Sequence, residues 1–166
     1  NFEPSPEIKT RDPLVLAKTG DIPAQGYQVY GLEFSHLWKS YQFEAEYIKN
    51  QVKRRDAKNV SFDGWHVQAN YILTGQSRTY SVKNGSFGSI DLDENQSAWQ
   101  IAARYSSINL NADNIYGGKQ DNISAALSWY FNQNIRISAG YVRSEISKEN
   151  IETEDQTRMK TKIRPK

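Results

Sequence analysis

The sequence predicts an all-β fold, an antiparallel transmembrane β-barrel to which this chain contributes about six to eight strands. The first observation is alternation, since apolar and polar residues follow one another with a period of two along several stretches. The second is length, because each stretch runs for about ten residues, as a membrane strand requires. Strands of water-soluble proteins cluster near about five or six residues.

The composition agrees with a membrane that is crossed by strands. The mean hydropathy is −0.77, and no apolar run approaches the roughly 20 residues that a membrane helix needs. A chain this polar is either water-soluble or a barrel, which hides its apolar residues by alternation.

The clearest alternation covers residues 121–131. One face of this run is apolar and carries Ile123, Ala125, Leu127, Trp129 and Phe131. The other face carries Asn122, Ser124, Ala126, Ser128 and Tyr130. Gln133 and Asn134 then separate it from a second alternating run, so the two runs predict a hairpin.

Four further runs upstream alternate in the same way, which predicts a single partial barrel domain over residues 1–166. The six predicted strands are residues 28–37, 41–52, 62–73, 98–107, 121–131 and 135–145. Aromatic residues end several apolar faces, as Trp65 and Tyr71 do, and this favours the aromatic girdles of a membrane barrel.

The connections between the strands differ in length. Residues 38–40 and 133–134 form short turns, while residues 54–60 and 110–120 form medium loops, the second with a turn at Gly117–Gly118. The long connection over residues 74–96 lies on the side of the short turns, and we expect it to fold into the barrel.

Six strands do not close a membrane barrel, because open strand edges cannot face lipid. Residues 14–18 and 159–163 are weak candidates for additional strands. The sequence therefore predicts an incomplete barrel.

Charge and residue types argue against several other functions. The net charge of +2, from 21 basic and 19 acidic residues, is too balanced to predict a nucleic-acid partner. The chain has no cysteine, and His36 and His66 lack metal-ligand spacing. We therefore expect no metal site, no cofactor and no catalytic residues, so that the protein is not an enzyme.

Several segments resemble the C-terminal half of the phosphate-selective porin O and P family. The resemblance covers about residues 9–142, and its order and spacing are more specific than any single motif. The segments are KTRDPLVLAKTG (9–20), YGLE (30–33), FEAEYI (43–48), SFDGWHVQANYILTG (61–75), SRTYSVKNGSFG (77–88), AWQIAARYS (98–106), GGKQDNISAALSW (117–129) and NQNIRISAGYV (132–142).

This resemblance implies a homotrimeric porin of roughly 16 strands in the bacterial outer membrane, in contact with lipid. It further implies passage of phosphate or related anions through a lumen narrowed by inward-folded loops and lined by basic side chains. The chain would supply roughly strands 10 to 15. Family members close with an aromatic-ended amphipathic strand, whereas this sequence ends in KTKIRPK.

Four basic residues are candidates for the anion pathway. Arg104 and Arg136 fall on the predicted lumen face of their strands. Arg78 and Lys83 lie in the long connection and match the basic part of the family's motif. Arginine suits phosphate because its planar fork donates two parallel hydrogen bonds. Glu44 and Glu46 are predicted to face the same lumen and to offset this charge.

Two alternatives remain open at the level of sequence. The nearly balanced charge also fits a general, nonselective porin. The alternation also fits a soluble β-sandwich that binds carbohydrate through exposed Trp and Tyr. The basic tail favours a solvated terminus over a lumen ladder; its residues are Arg158, Lys160, Lys162 and Arg164.

Overall fold

The computed structural model describes residues 19–81, 83, 86–93 and 96–148. The weak candidate strands at residues 14–18 and 159–163 lie outside the described residues, as does the basic tail.

Eight strands make up the described part of the chain. They are β1 (Ala24–Trp38), β2 (Tyr41–Arg54), β3 (Val60–Ile72), β4 (Arg78–Ser81), β5 (Ser86–Ile90), β6 (Ala98–Ala112), β7 (Ile115–Tyr130) and β8 (Arg136–Ser147). Six of them, in the order β1-β2-β3-β6-β7-β8, form one sheet in which every neighbouring pair is antiparallel. The fold class is therefore all-β and antiparallel, as predicted, and the sheet is not closed into a barrel.

The sheet is a meander, because each long strand pairs with the next long strand along the chain. These strands contain 12 to 16 residues, so they are longer than the alternating stretches in the sequence. Strands β4 and β5 form a separate hairpin inside the long connection between β3 and β6. We call residues 74–97, which contain this hairpin, the insert.

The register keeps the two kinds of side chain on opposite faces across the whole sheet. Phe43, Ala69, Ala103, Ala125 and Tyr141 are directly paired from β2 to β8 and form one row. The adjacent row, on the other face, consists of Gln42, Asn70, Ala102, Ala126 and Gly140. We call these the apolar face and the polar face.

The apolar face is uncovered in the described part of the chain. Leu32 is 73% exposed, Ile137 61% and Tyr141 67%, although all three side chains are large and hydrophobic. A soluble sandwich requires a second sheet over this surface. The only other sheet among the described residues, β4–β5, makes its contacts with the polar face.

Aromatic side chains border the apolar face at both ends of the strands. At the end that carries the short turns, which we call the turn end, Tyr41 stacks on Tyr71 at 4.3 Å, and Trp99 stacks on Trp129 at 5.7 Å. At the opposite end, the loop end, the rings of Trp65 and Tyr105 are 5.3 Å apart. These rows have the arrangement of the two girdles that flank the lipid-facing band of a membrane barrel.

The loop end departs from the sequence prediction between β6 and β7. The turn lies at residues 113–114, where Asp113 has φ 51°, and β7 already begins at Ile115. Gly117 and Gly118 are therefore strand residues, and the predicted turn there is wrong. Gly117 serves close packing, since a Cβ at this position would lie 2.6 Å from Cβ of Leu110.

A hydrophobic cluster stabilises the loop end. Its four buried members, each at most 4% exposed, are Val52, Val60, Phe62 and Leu110. Next to it, Arg54 joins the loop between β2 and β3 to the turn between β6 and β7. Its guanidinium donates to Asn114 Oδ1 and forms an ion pair of 2.7 Å with Asp113 Oδ2. Its Nε donates to the carbonyl of Lys58, so one side chain connects both loops.

Candidate functional site

The polar face is where the candidate residues come together, because the insert packs against it. The apolar side of this packing is a buried cluster at the turn end, formed by Ile72, Ile90, Leu92 and Ala98 with part of Tyr130. Gln133, in the turn between β7 and β8, donates from Nε2 to the carbonyl of Leu92 at 2.7 Å. As expected from the sequence, the long connection folds over the polar side of the sheet.

Arg78 makes the polar contact between the insert and the sheet. Its Nη1 donates to the carbonyl of Gly88 within the insert at 2.9 Å. Its Nη2 donates to Gln100 Oε1 at 2.6 Å and to the hydroxyl of Tyr130 at 3.1 Å. Arg78 is therefore held mainly by neutral partners, which leave its positive charge uncompensated by any of these contacts.

The partners of Arg78 on the sheet are themselves connected. The hydroxyl of Tyr130 donates to Gln100 Oε1 at 3.0 Å, and Gln100 Nε2 donates to Asn70 Oδ1 at 3.0 Å. Gln100 and Asn70 are each 7% exposed, so these hydrogen bonds are shielded from water. Buried polar groups require partners, and this network supplies them across β3, β6 and β7.

Arg136 and Arg78 line one recess of the polar face, which we call the recess; its lining also includes Gln42, Gln100, Ala126 and Tyr130. Its guanidinium stands 5.7 Å from the ring centroid of Tyr130, within reach of a cation–π interaction. Ser128 and Ser138, which share a hydrogen bond of 2.8 Å, line the recess beside it. Arg136 is exposed, and it forms no ion pair with any residue that the structure describes.

The other two basic candidates lie elsewhere. Arg104 is on the polar face, paired in register with Gln68 and Ser124, but it does not line the recess that holds Arg78 and Arg136. Lys83 is exposed in the turn of the β4–β5 hairpin and also lies outside this recess. The structure thus brings two of the four predicted residues together.

Acidic residues occupy the other side of the polar face. Glu33 and Glu46 are directly paired between β1 and β2, and Glu44 accepts a hydrogen bond of 2.8 Å from Gln42 Nε2. Oε2 of Glu46 lies 3.5 Å from Nδ1 of His66. Away from the loop end, charge on this face is therefore divided, with glutamates on β1 and β2 and arginines on β6, β8 and the insert.

The site residues predicted from the sequence do not include Tyr130, Gln100 or Glu33. All three fall on the polar side of their alternating runs, so the period of two places them on the correct face. What the alternation does not show is that the insert would reach Tyr130 and Gln100.

The described residues contain neither a metal-binding cluster nor a helix that could cross a membrane. No group of three or more His, Cys, Asp or Glu side chains within them is placed to hold a metal ion. None of their segments is a helix that is long and apolar enough to cross a membrane.

A sheet with an uncovered apolar face between aromatic rows, and a polar face that carries an insert, is of the transmembrane β-barrel class. The family model for phosphate-selective porin O and P matches residues 3–164, and the chain therefore belongs to this family.

Two curated proteins are similar to this chain. Porin O of Pseudomonas aeruginosa (strain PAO1) is 29% identical over 141 residues, which cover 76% of this chain and 32% of that protein. An uncharacterized protein of Caulobacter vibrioides is 28% identical over 131 residues, which cover 76% of this chain and 26% of that protein. The chain thus spans a third or less of the length of each.

Proposed function

We propose that this chain forms part of the wall of an anion-selective pore of the phosphate type in a bacterial outer membrane. The family assignment and the name of the Pseudomonas relative support the porin class. The observation that carries the selectivity is Arg136, an exposed guanidinium on the polar face without an ion-pair partner among the described residues.

The mechanism follows from the cost of moving an anion out of bulk water. Several weak cationic sites offset this desolvation and still release the ion to the next site. The guanidinium of Arg136 lines the recess, and Arg78 adds positive charge nearby from the insert. Arg104, further along the polar face, is proposed as another site on the path, and Lys83 as a point charge in the hairpin turn.

The assembled barrel that contains these strands is proposed to be a homotrimer surrounded by outer-membrane lipid. The uncovered apolar face, with side chains such as Ile137 at 61% exposure, supports a lipid-facing surface. Phosphate or a related anion is the proposed permeant ion, in line with the family to which the chain belongs.

Replacing Arg136 with alanine is expected to reduce anion preference. In planar bilayers under a salt gradient, the reversal potential of the assembled barrel should move measurably toward zero in the Arg136→Ala variant, because one cationic site is lost. Arg104→Ala should act in the same direction.

Arg143→Ala is the matched control. Arg143 is on the same strand, but it is on the other face and forms an ion pair of 2.6 Å with Glu145. Its removal should leave the reversal potential unchanged. Equal potentials for the wild type and the Arg136 variant would contradict the proposed role of Arg136.

A general, nonselective porin is the second candidate, and the glutamates favour it. Glu33, Glu44 and Glu46 are on the polar face in the same number as Arg78, Arg104 and Arg136. If these charges cancel along the path, the wild-type barrel should show a reversal potential near zero. That result would show that ions pass by nonselective diffusion and that the pore does not prefer anions.

A further inference from the structure

We propose that Arg78 is a positioning residue, which locks the insert onto the wall of the pore and so sets the width of the pore at its turn end. This inference rests on the proposed function only in treating the polar face as the lining of a pore. It assigns to Arg78 a second role, in addition to the positive charge that Arg78 contributes near the anion path.

The side chain of Arg78 joins the insert to two strands of the sheet. Arg78 is a residue of β4, and its guanidinium donates to the carbonyl of Gly88 on β5. The same group donates to Gln100 on β6 and to Tyr130 on β7. One planar fork thus stabilises the hairpin internally and fixes it to two strands of the wall.

The acceptors of Arg78 on the sheet are themselves hydrogen bonded within the sheet. Tyr130 and Gln100 hydrogen bond to each other, and Gln100 also donates to Asn70 on β3. Because Gln100 is 7% exposed, water cannot easily replace Arg78 as its partner. We call the network of Arg78, Gln100, Tyr130 and Asn70 the latch.

Apolar packing also holds the insert against the sheet. Ile90 and Leu92 are buried against Ile72 and Ala98 where the insert joins the sheet. Apolar packing of this kind resists removal but does not by itself determine orientation, since it is non-directional. The hydrogen bonds of the latch are directional, and they fix where the hairpin lies on the polar face.

Arg78→Lys would keep the positive charge but lose the hydrogen bonds that hold the insert in the latch. The lysine ammonium is a compact point charge on a flexible stem and cannot reproduce a planar fork that reaches three acceptors. Charge and position can therefore be separated by experiment.

The test uses single-channel recording of the assembled barrel with three variants: Tyr130→Phe, Arg78→Lys and the control Tyr116→Phe. Tyr130→Phe removes one acceptor of Arg78, changes no charge and keeps the ring beneath Arg136. Loss of a hydrogen bond to a charged group should raise the population of detached inserts about tenfold. Open-channel current noise and brief partial closures should increase accordingly, with an unchanged reversal potential.

Arg78→Lys should show the same increase in noise, although the charge is retained. Tyr116→Phe, an exposed tyrosine on the same strand as Tyr130, should behave as the wild type. Wild-type noise in both Tyr130→Phe and Arg78→Lys would overturn the latch. The noise readout is independent of ion preference, so a wild-type reversal potential near zero would reject selective passage and leave the latch standing.

Discussion

An arginine at position 125 is expected to prevent assembly of the barrel, whereas an arginine at the adjacent position 126 is expected to be tolerated. Ala125 is exposed on the apolar face in the row that joins Ala103 to Tyr141. A cationic side chain on the lipid face costs about 2–4 kcal/mol near the middle of the membrane. Assembly can be followed in lipid vesicles by the heat-dependent shift in electrophoretic mobility of folded barrels.

Ala126→Arg is the matched control for this substitution. Ala126 is the next residue of the same strand, and it lines the recess on the polar face, where an arginine can extend into water. We expect a large loss of assembled barrel for Ala125→Arg and little loss for Ala126→Arg. Equal losses would mean that the two faces of β7 do not have different environments.

Phe62→Ala is expected to lower the free energy of unfolding of the assembled barrel strongly. Phe62 is 3% exposed and packs with Val52, Val60 and Leu110 at the loop end. Replacing a buried phenylalanine with alanine removes its transfer energy and leaves a cavity, which together cost about 3–5 kcal/mol. The free energy of unfolding, measured by urea titration of the assembled barrel, should fall by this order.

Phe62→Leu is the graded control, because it keeps an apolar side chain of intermediate volume. Its cost should stay below about 1.5 kcal/mol if the cluster can repack around leucine. Unfolding of Phe62→Ala at the same urea concentration as the wild type would show that the loop-end cluster contributes little to stability.

The alternation of side chains was sufficient to predict the six long strands and the two faces of the sheet. It placed Ile123, Ala125 and Leu127 on one side and Arg136 on the other, as the register of β7 and β8 requires. A strand that separates lipid from a polar face must alternate, so the physical cause of the fold is visible in the sequence itself.

Alternation did not show where the strands end beyond the aromatic rows. Asn109 and Lys119, for example, pair with each other in the extended ends of β6 and β7, and both residues are polar. Outside the apolar band there is no lipid to impose a period of two. The turn therefore lies at Asp113–Asn114 rather than at the glycines, whose role is close packing.

The recess could be predicted only in part. Arg136 follows from its position in an alternating run, but the place of Arg78 depends on contacts across 22 and 52 residues, to Gln100 and to Tyr130. No local pattern encodes such a long-range contact. The β4–β5 hairpin was missed for a related reason, since strands of 4 and 5 residues are too short to show a reliable period.

Accessibility along β7 gives the most direct measurement of which face meets lipid. Because the chain has no cysteine, single cysteines can be introduced at each position from 122 to 129 and labelled with nitroxides in the membrane-embedded barrel. We expect labels at 123, 125, 127 and 129 to encounter oxygen dissolved in lipid, and the intervening labels to encounter a water-soluble nickel complex. Equal accessibility at odd and even positions, or protection of the odd positions from both probes, would contradict it.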